Sequence, residues 1–186
     1  MTELITNSWI ISIELQAFCV MILAVLFVYS VKFINKSTFR TSRLILLVNL
    51  CYGVVIDTDI INLVYTWNPT RIPAFAYTVS IIRYVMYICA AMFWFLYCQR
   101  EFKSRLFTKV IYEMLACLPA AIAVGFVITS PFTGYVFTVG KTAIEVGPYY
   151  NIMHAVAYMY ILAASVFAAI RFVKTKDKEE RKRNVY

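Results

Sequence analysis

Five ionisable side chains interrupt stretches of sequence that are otherwise apolar: Glu14, Asp57, Asp59, Arg83 and His154. Carboxylates, a guanidinium and an imidazole can form ion pairs, move protons and hold charged ligands. In an apolar medium each is costly unless partnered, so such residues mark either helix-fixing pairs or functional sites. The spacing narrows the chemistry. Asp57 and Asp59 are two residues apart, and on a helix they point about 200° from each other. They therefore cannot readily form the close carboxylate dyad of an intramembrane acid–base enzyme. One histidine and scattered carboxylates make a poor metal set. No catalytic motif occurs elsewhere, so no enzyme activity, metal or cofactor is expected.

The elements that must position these groups are five apolar runs. They span about Trp9–Phe33, Arg43–Trp67, Ile72–Tyr97, Leu106–Thr129 and Tyr150–Val173. The chain has 186 residues, 62% of them hydrophobic, against about 45–50% in a soluble domain. Each run is long enough for a membrane-spanning helix of about 20 residues, and what remains cannot hold a folded aqueous domain. Positive charge falls in every second gap. Lys32, Lys36, Arg40 and Arg43 follow the first run, and Arg100, Lys103, Arg105 and Lys109 the third. Arg171, Lys174, Lys176, Lys178, Arg181, Lys182 and Arg183 follow the fifth, whereas only Arg71 follows the second and only Lys141 the fourth. Lys and Arg in short loops stay cytoplasmic. The expected fold is thus an all-α membrane protein, a bundle of five transmembrane helices in the plasma membrane with the N-terminus outside and the C-terminus inside. Residues 1–173 form the membrane domain and residues 174–186 a charged cytoplasmic tail.

The net charge of +8 does not indicate nucleic acid, because the bases line three cytoplasmic edges, where anionic headgroups attract them. The first run is not a cleavable signal, since its flank carries Glu3 and no base. Trp9, Trp67, Tyr149 and Tyr150 at the outer edge, and Trp94 and Tyr97 near the inner one, form an aromatic belt. Cys19, Cys51, Cys89, Cys98 and Cys117 read as reduced packing residues. Ala116 with Ala120, and Ala164 with Ala168, are small-residue pairs that let helices approach. Pro119 should kink the fourth run and free a carbonyl.

Depth pairs the ionisable groups. Asp57 and Asp59 lie ten and eight residues before Trp67, about 15 and 12 Å below the outer edge at 1.5 Å per residue. Arg83 lies 11 residues after Ile72, at about 16 Å. The second and third runs are joined by a short turn and must be antiparallel neighbours, so Arg83 is expected to pair with Asp57 or Asp59. Glu14 and His154 form a second depth match nearer the edge. In the inner half, Glu113 can pair with Lys109 one helical turn away. These groups either fix helix register or line an outward-facing pocket; both readings stay open.

The connection from Ser130 to Tyr149 carries its own structure signal. Tyr135–Val139 and Ala143–Val146, rich in aromatic and β-branched residues, flank Gly140-Lys141-Thr142. That pattern predicts a short extracellular β-hairpin between the fourth and fifth helices, a cap over the bundle or the lid of a site.

The segment Ser130-Pro131-Phe132-Thr133-Gly134, then Phe137, then Gly147-Pro148-Tyr149-Tyr150, resembles the last external loop of the N-terminal multi-pass membrane sensor module of bacterial histidine kinases and diguanylate cyclases. Ser130 stands where that pattern favours Asn, and Val146 where it favours Arg. The resemblance implies a sensory module for signal transduction: a receptor that binds a ligand or partner at its outer face and passes a helix-packing change to a cytoplasmic output domain. The partners then expected are the lipid bilayer, an extracellular ligand, a cytoplasmic effector domain in the same parent chain or a separate one, and, as an option, a second copy in a homodimer. The alternative is a small membrane transporter or channel, which would need a polar path through both halves of the membrane and usually an internal repeat; no repeat is visible.

Overall fold

The computed structural model describes residues 16, 18–25, 27–28, 39–67, 72–101, 110–140 and 144–183. Residues 18–25 are helical and are labelled α1. The elements that follow are α2 (Phe39–Trp67), α3 (Pro73–Glu101), α4 (Val110–Thr133), β1 (Phe137–Val139), β2 (Ile144–Val146) and α5 (Tyr150–Arg183). Among the described residues four helices are long and apolar enough to cross a membrane, over Arg43–Asn62, Pro73–Arg100, Ile111–Thr133 and Tyr150–Ile170. These are the marks of a multi-pass membrane protein. Most of the first expected span, with Glu14, lies outside the described residues.

α3 is the central helix and touches α2, α4, α5 and β1. It begins with Pro73, whose absent N–H is harmless at a first helical position. α2 turns Leu44, Val48, Cys51 and Thr58 inward, a heptad-spaced stripe that lies along α3. α4 buries Ala120, Ala123, Val127 and Ser130, and α5 buries Met153, Ala157, Tyr160 and Ala164. Of the expected small-residue pairs, Ala120 and Ala164 are fully buried and share one core with Ile88, Ala91 and Phe95 of α3. Alanines at these positions let helix backbones approach, which lipid-embedded packing requires in place of a hydrophobic drive.

The expected hairpin forms, two residues shorter on its first strand. β1 and β2 pair antiparallel, with Phe137 opposite Val146 and Val139 opposite Ile144. The helix before it is longer than its apolar run suggested: α4 continues through Ser130-Pro131-Phe132-Thr133. It stops at Gly134, whose φ of 64° is a left-handed cap conformation that glycine adopts without strain. The Gly134 N–H closes that cap on the Ser130 carbonyl at 2.8 Å.

Ser130 explains why the turn takes this path. Its hydroxyl accepts from the N–H groups of Val136 (3.2 Å) and Phe137 (2.9 Å) and donates to the Phe137 carbonyl (2.9 Å). Three buried backbone groups that no strand partner reaches are thereby satisfied. The Val136 and Tyr135 carbonyls then accept from Gly147 and Tyr149, each at 2.8 Å. At Gly147 a Cβ would lie 2.4 Å from the Gly134 carbonyl oxygen and 2.5 Å from that of Tyr135, so the crossing has room only for glycine. Pro148 occupies the second position of a turn closed by Tyr150 N–H on the Gly147 carbonyl (3.2 Å), where its fixed φ is suited, and α5 begins at once.

Candidate functional site: an aromatic and polar cluster at the hairpin end

The fold brings Asp59 of α2 against Arg83 of α3, as the depth match required. The Arg83 Nε forms an ion pair with the Asp59 Oδ1, and both side chains are partly covered, 34% and 25% exposed respectively. The Arg83 guanidinium carbon also lies 5.4 Å from the Tyr84 ring centre, within cation–π range. Asp57 is elsewhere. It lies on the exposed face of α2, about 200° around the helix from Asp59. The structure therefore assigns the ion pair to one carboxylate and leaves the other outside the cluster.

His154 of α5 is within electrostatic reach of Arg83 and sits among tyrosines. Its ring centre is 4.7 Å from that of Tyr150, 5.4 Å from Tyr87 and 6.2 Å from Tyr158. Its Nδ1 lies 3.5 Å from the Tyr87 hydroxyl, the outer limit of a hydrogen bond. Tyr84 meets Tyr150 edge-on at 6.0 Å, and Tyr52 and Tyr158 lie within electrostatic reach of Tyr87. α2, α3 and α5 thus converge on a set of phenols, one imidazole and one guanidinium. Edge-to-face rings add attraction beyond buried area, and each phenol keeps a hydrogen-bonding tip. The set can bind a molecule with an apolar body and polar groups. Among the described residues, no three His, Cys, Asp or Glu side chains converge to hold a metal ion.

The tyrosines are the residues that sequence reasoning passed over. Tyr150, His154 and Tyr158 recur every four residues, which places them along one strip of a helix. Tyr150 had been assigned to the interfacial belt, and that assignment hid the strip. Ser80, buried on α3 three residues before Arg83, is a further polar group there; its hydroxyl has no hydrogen-bond partner.

The hairpin roofs the cluster. Phe137 lies 5.3 Å from Tyr84 and 5.9 Å from Tyr77, ring centre to ring centre, and the Tyr77 hydroxyl accepts from the Val139 N–H at 3.2 Å. The expected motif residues serve this roof in different ways. Thr133 and Gly134 end α4, while Gly147 and Pro148 make the crossing and launch α5. Pro131 lies within the last turn of α4, and Phe132 stands 92% exposed. On the far side of the hairpin, Ala123, Phe126, Val136, Tyr149, Ile152 and Met153 line a small apolar crevice.

Two contacts lie further down the bundle. Pro119 cannot donate to the carbonyl one turn back, and next to it the Tyr160 hydroxyl enters the α4 ladder. It donates to the Ala116 carbonyl at 2.6 Å and accepts from the Ala120 N–H at 3.2 Å, so it engages both groups of one i to i−4 pair in that ladder. Lys109, the partner expected for Glu113, lies outside the described residues. The Glu113 carboxylate takes the Arg100 Nη2 at 3.1 and 3.3 Å, an inter-helix bridge from α3 to α4.

No protein-family model, curated protein or solved structure matches the chain. Function is therefore argued from the side chains.

Proposed function

We propose that this protein is a membrane-embedded sensory module: a ligand or partner engages the cluster at the hairpin end, and α5 carries the change to a cytoplasmic output. One observation carries the reading. α5 runs as a single helix from Tyr150 to Arg183, so the residues that build the site and the charged tail belong to one rod. At 1.5 Å per residue it is about 51 Å long, and its last thirteen residues, from Arg171, extend past the apolar span that ends at Ile170. A tilt or rotation imposed at His154 would reach the tail without crossing a joint.

Further support comes from the charge pattern, which orients the tail to the cytoplasm. The first apolar run then completes a five-helix domain in the plasma membrane with its N-terminus outside. The likeness of the hairpin segment to the last external loop of bacterial sensor modules points to a kinase or cyclase as the output. A partly exposed Arg83 and His154 give an incoming molecule polar groups to contact. Among the described residues the other half of the bundle offers Gln99, the Tyr160 hydroxyl and the Arg100–Glu113 bridge, a smaller polar set than a transporter's path through the membrane would need.

The test places spin labels at Ile111 and Ala169, at the ends of the α4 and α5 apolar spans away from the hairpin, in a chain with its native cysteines replaced and reconstituted into lipid nanodiscs. Arg83→Gln and His154→Phe should each shift or broaden the inter-label distance if the cluster sets the position of α5. Distances unchanged in both variants would refute the relay.

A further inference from the structure

Asp57 poses a question that the ion pair and the site do not answer. It stands on the exposed face of α2, five residues inside the end of an apolar span at Asn62. An ionised carboxylate turned to lipid at that depth is costly, and such residues face protein or water instead. Its neighbours on that face are Leu47, Leu50 and Ile61, which are 40%, 51% and 40% exposed. The positions 47, 50, 57 and 61 fall on the two-position heptad spacing of a helix–helix seam, offset from the stripe that α2 buries against α3. Beside them is Gly53, one turn from Asp57, where no atom lies within 4 Å of a built Cβ. An uncovered glycine on a membrane helix allows another backbone to come close.

From this we infer that the Leu47–Ile61 face of α2 docks a transmembrane helix of a partner protein that presents a Lys or Arg opposite Asp57. Charge decides the kind of partner. A second copy docked through the same face would set Asp57 against Asp57 across the two-fold axis. The four described spans of that copy would also offer no free cation: Arg83 is the sole Lys or Arg between their ends, and Asp59 already engages it. A basic residue on a foreign helix removes the carboxylate from lipid and gains a charge-assisted hydrogen bond, while the leucines and Ile61 supply apolar contact on either side. This inference stands apart from the signalling reading and survives its failure.

The experiment uses the full chain, labelled with a donor fluorophore at its C-terminus, in phosphatidylcholine vesicles. Two synthetic acceptor-labelled Leu/Ala transmembrane peptides are compared, one with a single Lys at the depth of Asp57 and one with Leu there. The Lys peptide should associate about tenfold more tightly than the Leu peptide. Asp57→Asn should erase that difference, and Asp57→Lys should transfer the preference to a peptide carrying Glu. Asp57 is exposed, so these variants leave the packed core intact; circular dichroism of each confirms it. Equal association of the Lys and Leu peptides, or of neither, overturns the inference. So does self-association of the chain that depends on Asp57, which would assign the face to a second copy, or a disulfide between cysteines placed at 57 and in the first apolar run, which would assign it to this chain itself.

Discussion

The two ends of the bundle are held in different ways. At the hairpin end, backbone is fixed to backbone. Ser130 satisfies three main-chain groups of the returning loop, Gly147 crosses where no side chain fits, and Phe137 is wedged on Tyr77 and Tyr84. At the opposite end α4 leans on side chains alone: the Arg100–Glu113 bridge and, midway, the Tyr160 hydroxyl. Its residues there, Ile111, Met114, Leu115 and Leu118, are all more than half exposed. Short-range backbone locks have one arrangement, whereas a pair of long, partly exposed side chains can exchange partners. The hairpin end is thus the more tightly held of the two, an asymmetry that the relay proposed above would need.

That contrast breaks most readily at Gly147. Gly147→Ala puts a Cβ within 2.6 Å of three backbone atoms, and backbone, unlike a flexible side chain, cannot step aside. The expected loss is about 3 kcal/mol or more, read as thermal unfolding in detergent by circular dichroism. A variant of wild-type stability would show that the hairpin end yields after all. Ser130→Ala is the next largest. It leaves the Val136 and Phe137 N–H groups buried without an acceptor, at a cost of about 2 kcal/mol. If the loss is under half that, water replaces the hydroxyl and the lock is looser than its geometry indicates.

Much of the hairpin end was legible in the sequence, because its determinants are local. The glycine-punctuated alternation of Tyr135–Val146 encodes two strands, and the turn joining the second and third runs forces Arg83 and an acidic residue to one level. Which acid pairs was not legible: depth is the same to within one turn, and only the rotation of α2 about its axis selects Asp59. Nor was the helical state of Ser130–Thr133. The apolar run ends at Thr129, and Ser130 bonds to residues six and seven positions on, partners that exist only after the chain has turned back. Contacts between helices were harder still. The four-residue rule offers Glu113 only a neighbour on its own helix, whereas its bridge to Arg100 of α3 has no local signal. The Tyr160 hydroxyl, 44 residues from the carbonyl that receives it, leaves no trace in any local pattern.

Tyr160→Phe sharpens the comparison at the middle of the bundle. Without the hydroxyl, the Ala120 N–H can return to the Ala116 carbonyl, so no polar group is stranded and the stability loss should be about 1 kcal/mol. The larger consequence is positional. α5 loses its polar tie to α4 beside Pro119, and the distance distribution between spin labels at Ile111 and Ala169 should broaden. An unchanged distribution would mean that apolar packing alone sets the position of α4 against α5.

The smallest effect is expected where the contact looks strongest. Arg100 and Glu113 form a two-pronged bridge, yet their side chains are 33% and 28% exposed and sit at the ends of their spans, where water and headgroups reach them. Pairs of that kind contribute about 0–1 kcal/mol. Arg100→Gln should therefore lower the unfolding free energy by well under 1 kcal/mol, and raising the salt concentration should shrink the difference between variant and wild type further. Arg83→Gln removes a pair of similar exposure, but one flanked by Tyr84 and roofed by the hairpin, and its effect should be larger and less sensitive to salt. The two variants measured side by side test the asymmetry directly. Equal losses with equal salt dependence would mean that both ends meet the same surroundings, and the distinction between a tightly held end and a looser one would go with it.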